Sequence, residues 1–204
     1  MERFGFVGLP NAGKSSLYNA LAGGGALAAP YAFATVDPNV GVAKVLDSRL
    51  DALAEMSKSK NVIPTAVQFV DIAGLVKGAS QGEGLGNRFL AHIREVDATV
   101  FVLRAFEDTD VPGSSDPAEQ LEILELELIT ADLEAMEKHI DKRRKAARSN
   151  PVLAPEVAAM EAAIDVLGAG TPVWRAGLGD DTLALPKAEH FPTSKPVSYT
   201  PLRA

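Results

Sequence analysis

The chain has no cysteine among its 204 residues. That excludes a disulfide framework, a thiolate zinc site and a thiol nucleophile, and it fits a reducing compartment. Aromatic residues are scarce, at 6%. No stretch approaches the roughly 18 consecutive apolar residues of a membrane span. The N-terminus, MERFGFVGLP, lacks the apolar core of a secretory signal, so a cytoplasmic protein with no membrane partner is expected. Positive charge is not in excess either. The formal net charge of −7 argues against nucleic-acid binding over the whole surface, while leaving room for a local basic patch.

What is present begins at once. RFGFV, residues 3–7, reads as a buried strand, and GLPNAGKS follows at residues 8–15. This stretch fits G-x-x-x-x-G-K-[ST] with a strand before it and a helix, SSLYNALAG, after it. Glycines let the backbone wrap so that successive N–H groups point at phosphate oxygens, and the helix N-terminus adds partial positive charge. Lys14 is placed to reach the outer phosphates and the Ser15 hydroxyl to ligate Mg²⁺. TAVQFVDIAG, 65–74, reads as a strand ending in Asp71 and Gly74, an acid able to orient magnesium and a glycine whose N–H can approach a γ-phosphate. Thr35 lies between these motifs, where a loop hydroxyl can ligate Mg²⁺ and sense the γ-phosphate.

The remaining elements are read more coarsely. A loop over 29–42 enters a strand near Val40–Val45, and 46–59 is an amphipathic helix capped by Asp47 or Ser48. Residues 75–86 carry four glycines and read as a loop, NRFLAHIREVDA as a helix, and TVFVLRAF, 99–106, as a strand of a doubly covered parallel sheet. After a linker at 108–117, residues 118–149 are helical, with Leu121, Leu124, Leu128, Leu133, Met136 and Ile140 as the apolar stripe. NPVLAP breaks it, and 155–170 forms a second helix, which together make an antiparallel hairpin. The segment 171–204 is poorly periodic, with KPVSY opening a strand that stops after a few residues. The fold class is α/β: a P-loop NTPase with a mainly parallel sheet and an inserted α-helical hairpin arm. The division is 1–110 for the main part of the nucleotide-binding domain, 111–170 for the arm, and 171–204 for a return segment and the start of a strand.

GLPNAGKSSLYNAL, YAFATVDPNVGV and above all DIAGLVKGASQGEGLGNRFLAHIREVDA resemble the YchF/Obg-like ATPase family, as does RAFEDTDV followed by a long helical hairpin. The resemblance covers about residues 2–170 and fades beyond them. It implies a P-loop domain with a coiled-coil arm, ATP preferred over GTP, and association with the ribosome. By this match Asn11, Ala12, Gly13, Lys14, Ser15 and Ser16 hold phosphates, Ser15 and Thr35 ligate Mg²⁺, and Asp71 lies just behind the ion. Lys14, Thr35 and Gly74 would be the residues that act on the γ-phosphate.

Two departures stand out. Where Ras-like GTPases carry a water-orienting glutamine after DxxG, this chain has Leu75, so slow intrinsic turnover is expected. His92 is read either as the group that positions water or, with greater weight, as a core histidine of its helix. Asn11 in the loop raises K⁺ as an additional cation. The second departure concerns the base. The polar motif expected after a KPVSY-type strand is missing from TPLRA, so the chain reads as shortened before base recognition and before the family's C-terminal TGS domain. Choice of ATP over GTP then rests on resemblance alone. A nucleotide-binding module without turnover, and a non-functional fragment, are the competing readings. Finally, Lys138, Lys142, Arg143, Arg144, Lys145 and Arg148 form a basic cluster on the arm. It suits either the helix dipole or contact with ribosomal RNA.

Overall fold

The computed structural model describes residues 1–23, 40–72, 85–107 and 113–202. Its centre is one sheet of five strands: β1 (Arg3–Val7), β2 (Val40–Lys44), β3 (Ala66–Asp71), β4 (Ala98–Arg104) and β5 (Val197–Leu202), in the order β2-β3-β1-β4-β5. All neighbours are parallel except β2, which pairs antiparallel with β3. β1 and β4 are apolar runs buried on both faces, as a covered parallel sheet requires. The helices α1 (Lys14–Gly23), α2 (Ser48–Ser57) and α3 (Leu85–Glu95) follow β1, β2 and β3 in the chain. Asp47 is the cap of α2, its carboxylate accepting from Arg49 N–H at 3.0 Å.

The long helix α4 (Pro117–Ser149) starts at an Asp116 cap with proline in the first turn. Its single apolar stripe serves two cores. Leu124, Leu128 and Ala131 complete the core beneath the sheet with Phe101, Ile93 and Ile72. Met136 and Ile140 belong to a second cluster with Met160, Ala163 and Leu167 of α5 (Ala154–Gly168). Gln120, 1% exposed, fixes the root of α4. Its side-chain amide accepts from Arg104 N–H at 2.8 Å and donates to Arg104 C=O at 2.7 Å, imitating a neighbouring strand at the end of β4.

The last sixth of the chain corrects the reading of an aperiodic segment. It contains α6 (Asp180–Ala188), which packs on α5, so a third helix supports the hairpin. Leu183 and Leu185 supply its apolar contacts to the second cluster, which Phe191, just beyond the helix, joins. Pro186 inside this nine-residue helix hides the periodic signal. The strand opened by KPVSY does not stop there. β5 pairs with β4 from Val197 to Leu202, running through Pro201, which is tolerated because β5 stands at the edge of the described strands.

The turn Pro192–Ser194 ties these layers together. Thr193 N–H donates to Asp132 Oδ2 of α4 at 2.7 Å. Lys195 Nζ donates to Arg94 C=O at 3.1 Å and Val96 C=O at 2.6 Å, capping the C-terminal end of α3.

Candidate nucleotide site

Central β1 delivers the chain to the loop, and α1 carries it away. At Gly8 the backbone runs so close to β4 that a Cβ would lie 2.5 Å from Val102 O. No side chain fits there, because the obstacle is main chain. Asn11 (φ 63°) and Gly13 (φ 91°) both adopt left-handed backbone. Such residues next to right-handed ones turn consecutive N–H groups into a concave anion-binding nest. A Cβ at Gly13 would also meet Leu202 Cδ1 at 2.8 Å, so the end of β5 lies close beside the loop. Leu202 is a contributor that the sequence reading passed over; its signal was an apolar residue closing a parallel strand. Ala12 is fully buried beneath the loop, while Asn11 and Ser16 are exposed.

Lys14 is 7% exposed and folds back over the loop, donating to Gly8 C=O at 3.2 Å and Leu9 C=O at 2.9 Å. Burial pushes its pKa down, partly opposed by the negative charge of Asp71. Ser15 Oγ donates to Asp71 Oδ2 at 2.7 Å. That contact is set by register, since Asp71 at the end of β3 lies opposite Phe6 of β1, one residue before the strand's end. Backbone donors, one ammonium, one hydroxyl and one carboxylate therefore converge at the C-terminal edge of the sheet. In open α/β folds ligands bind at this edge.

The donor set fits Mg²⁺ with phosphates. Among the described residues there is no cluster of three or more His, Asp or Glu able to hold a metal alone. Magnesium does not require one; it typically takes one or two protein oxygens and completes its shell with phosphate and water. Thr35, Gly74 and Leu75 lie outside the described residues. His92 is exposed on α3, which corrects its reading as a core histidine; Phe89, Leu90 and Ile93 carry the buried side of that helix. Of the basic arm residues, Arg143 is half-buried and the other five are exposed. Among the described residues no helix is long and apolar enough to cross a membrane.

A family model described as "50S ribosome-binding GTPase" matches residues 3–147. The ribosome-binding ATPase YchF of Bacillus subtilis is 46% identical over 199 residues, which cover 96% of this chain and 54% of that protein. The protein of the same name from Haemophilus influenzae is 46% identical over 199 residues, with 96% and 55% covered. Among solved structures, the YchF GTPase of Schizosaccharomyces pombe covers all of this chain and 57% of its own at 35% identity, with a TM-score of 0.83. The chain thus spans about half the length of the curated relatives it matches.

Proposed function

Because the chain belongs to the YchF branch of the 50S ribosome-binding GTPase family, we propose that it is a Mg²⁺-dependent nucleoside triphosphatase switch, preferring ATP to GTP, that works on the ribosome in the cytoplasm. The observation that carries the nucleotide reading is the convergence of the Asn11–Gly13 nest, the Lys14 ammonium and the Ser15–Asp71 pair at one sheet edge. Asn11, Ala12, Gly13, Lys14, Ser15 and Ser16 would cradle the phosphates with main-chain N–H groups and the start of α1. Lys14 would exchange its loop carbonyls for phosphate oxygens, so a desolvated cation waits where negative charge arrives. Ser15 would turn its hydroxyl from Asp71 to the metal, with Asp71 holding metal-bound water. When bound, Mg²⁺ neutralises charge on the outer phosphates. Thr35 would supply a second hydroxyl ligand. Gly74 would place its N–H on the γ-phosphate. A K⁺ near Asn11 is the finer part of the same reading. Leu75 offers no hydrogen bond to the attacking water, so turnover is slow.

The test is calorimetric titration with ATP and with GTP in Mg²⁺, followed by phosphate release. ATP is expected to bind more tightly and to be hydrolysed slowly. Lys14→Ala should lose about 3 kcal/mol of binding, roughly 100-fold, from its charge-assisted phosphate bonds. Ser15→Ala and Asp71→Asn should raise the Mg²⁺ concentration needed for binding. Binding without phosphate release would reduce the protein to a nucleotide-binding module. Absence of binding to either nucleotide would sink the reading.

A further inference from the structure

The six basic residues of α4 separate into two groups. Arg143 bonds Glu156 at 2.6 Å and also pairs with Glu189. Arg144 pairs with Glu161 at 2.9 Å and with Asp141 at 3.4 Å. These two guanidiniums tie α4 to α5 and to the end of α6. Lys142, Lys145 and Arg148 are exposed and have no ion-pair partner among the described residues. Lys138 reaches only Glu134, at 4.0 Å with its side chain 75% exposed, a contact worth little in water.

These four cations form a line. At about 100° per residue Lys138, Lys142 and Lys145 lie across the helix from Met136 and Ile140, the buried side that faces α5, and Arg148 stands at the edge of that outer face. From Lys138 to Arg148 the helix rises about 15 Å, the rise of roughly four phosphates along one strand of a duplex. The helix dipole does not explain the line, because its effect fades within the last turn. Lys138 and Lys142 stand two to three turns before Ser149, the end of α4. Of the acids beside the line, Glu134 stands 4.0 Å from Lys138 and Asp141 is engaged by Arg144. The chain as a whole carries −7, and Glu119, Glu122, Glu125 and Glu127 make the root of the same helix acidic. Along this helix the charge favours a polyanion at the far end and not at the root.

We infer that Lys138, Lys142, Lys145 and Arg148 form the face of the arm that tracks the phosphate backbone of ribosomal RNA, while Arg143 and Arg144 are internal struts. This rests on the ribosome reading above and narrows it to one surface and one chemistry.

The test uses the intact chain with two probes, a fluorescein-labelled 20-base-pair RNA duplex and purified bacterial 50S subunits. With four phosphate contacts, raising salt fourfold should weaken duplex binding about 50- to 150-fold. The Lys142→Gln/Lys145→Gln/Arg148→Gln variant, left with one contact, should weaken only about threefold over the same range. Arg144→Gln should bind within about twofold of the parent, since it removes the same kind of charge from outside the line. The same ranking is expected with 50S subunits. Melting curves check that both variants are folded. Three results would overturn the inference: unchanged binding by the triple variant, an equal loss in Arg144→Gln, or binding to 50S subunits without binding to the duplex, which would mean a protein partner. If the parent chain fails to bind 50S subunits, the ribosome reading falls with it. If the triple variant keeps 50S binding, only this surface is wrong.

Discussion

Asp132 is the group whose replacement tests the packing argument most sharply. It lies mid-way along α4, fully buried, where a carboxylate is costly. One oxygen accepts from Thr193 N–H, while Oδ1 and the nearby Thr193 Oγ1 are buried with no hydrogen-bond partner among the described residues. Burial pushes the pKa of Asp132 up from 3.8 to about 6. Hydrogen bonding from Thr193 and the charges of Arg94 and Lys195 pull the other way without cancelling it. Lys195 is itself committed to the carbonyls at the end of α3, so it serves as a distant counter-charge and not as a salt-bridge partner.

The folded state therefore holds this proton more tightly than the unfolded chain. The stability it contributes is present in full below pH 3.8 and is lost as pH rises toward 6, a total of about 3 kcal/mol. Between pH 4.5 and 7.5 the loss is about 2 kcal/mol. Asp132→Asn keeps the acceptor for Thr193 N–H, places an amide at the buried Oδ1 position, and carries no charge to desolvate. Its stability relative to the parent should rise by about 2 kcal/mol from pH 4.5 to 7.5, or about 4–8 °C in melting temperature for a chain this size. Paired urea and thermal melts at four pH values read this directly. Other titrating groups cancel in the difference between the two proteins. A difference that is flat with pH, or an Asn variant that loses ground as pH rises, would refute the reasoning. The carboxylate would then be ionised and held by Arg94 and Lys195.

Two further substitutions probe the site and the root of the arm. Gly13→Ala meets both a left-handed backbone and Leu202 Cδ1 at 2.8 Å. It should lower stability by about 1–3 kcal/mol in urea melts and abolish nucleotide binding by calorimetry, whereas relief of the clash alone by Leu202→Ala should restore neither. Gln120→Ala strands the N–H and C=O of Arg104 without their side-chain partners. The expected cost is about 2–4 kcal/mol, read in urea melts and as loss of hydrogen-exchange protection at the Arg104 amide.

How much of this was legible depends on what each feature demands of the chain. The phosphate loop is readable because a close main-chain approach at Gly8, left-handed backbone at Gly13 and a cation at Lys14 leave few residue choices. Asp71 is readable for a related reason: register places the last residue of β3 beside the loop. Periodicity shows that α4 has one apolar side, but it cannot show that Leu128 and Met136 serve different cores, since a stripe records a face and not its partner. α6 and the end of β5 each contain a proline and are short, so local pattern gives no warning of them. Asp132 is lost in a helix rich in exposed acids; only the fold distinguishes a buried carboxylate from its neighbours. The basic cluster is visible as a run, and the structure divides it by supplying Glu156 and Glu161 from the next helix and Glu189 from the end of α6.

The sheet also gives the arm and the nucleotide a common origin. β1, β3 and β5 point their C-terminal ends at the phosphate loop, through Gly8, Asp71 and Leu202. β4 ends at the same edge, and there Gln120 seizes the main chain of Arg104 to start α4. The other end of β5 begins in the turn whose Thr193 is bonded to Asp132 of α4, and whose following residue, Lys195, caps α3. A rigid strand therefore joins the loop at one end to both helices at the other. Leu202 lies beside Gly13, so a displacement of the loop there would bear on the end of β5. Touching both sites makes β5 the element to test for coupling, which requires that it adopt two arrangements. The Asp132→Asn variant therefore has a second use. If β5 carries the coupling, the change in stability that this variant makes should depend on whether nucleotide is bound; if the two effects simply add, the loop and the arm are independent.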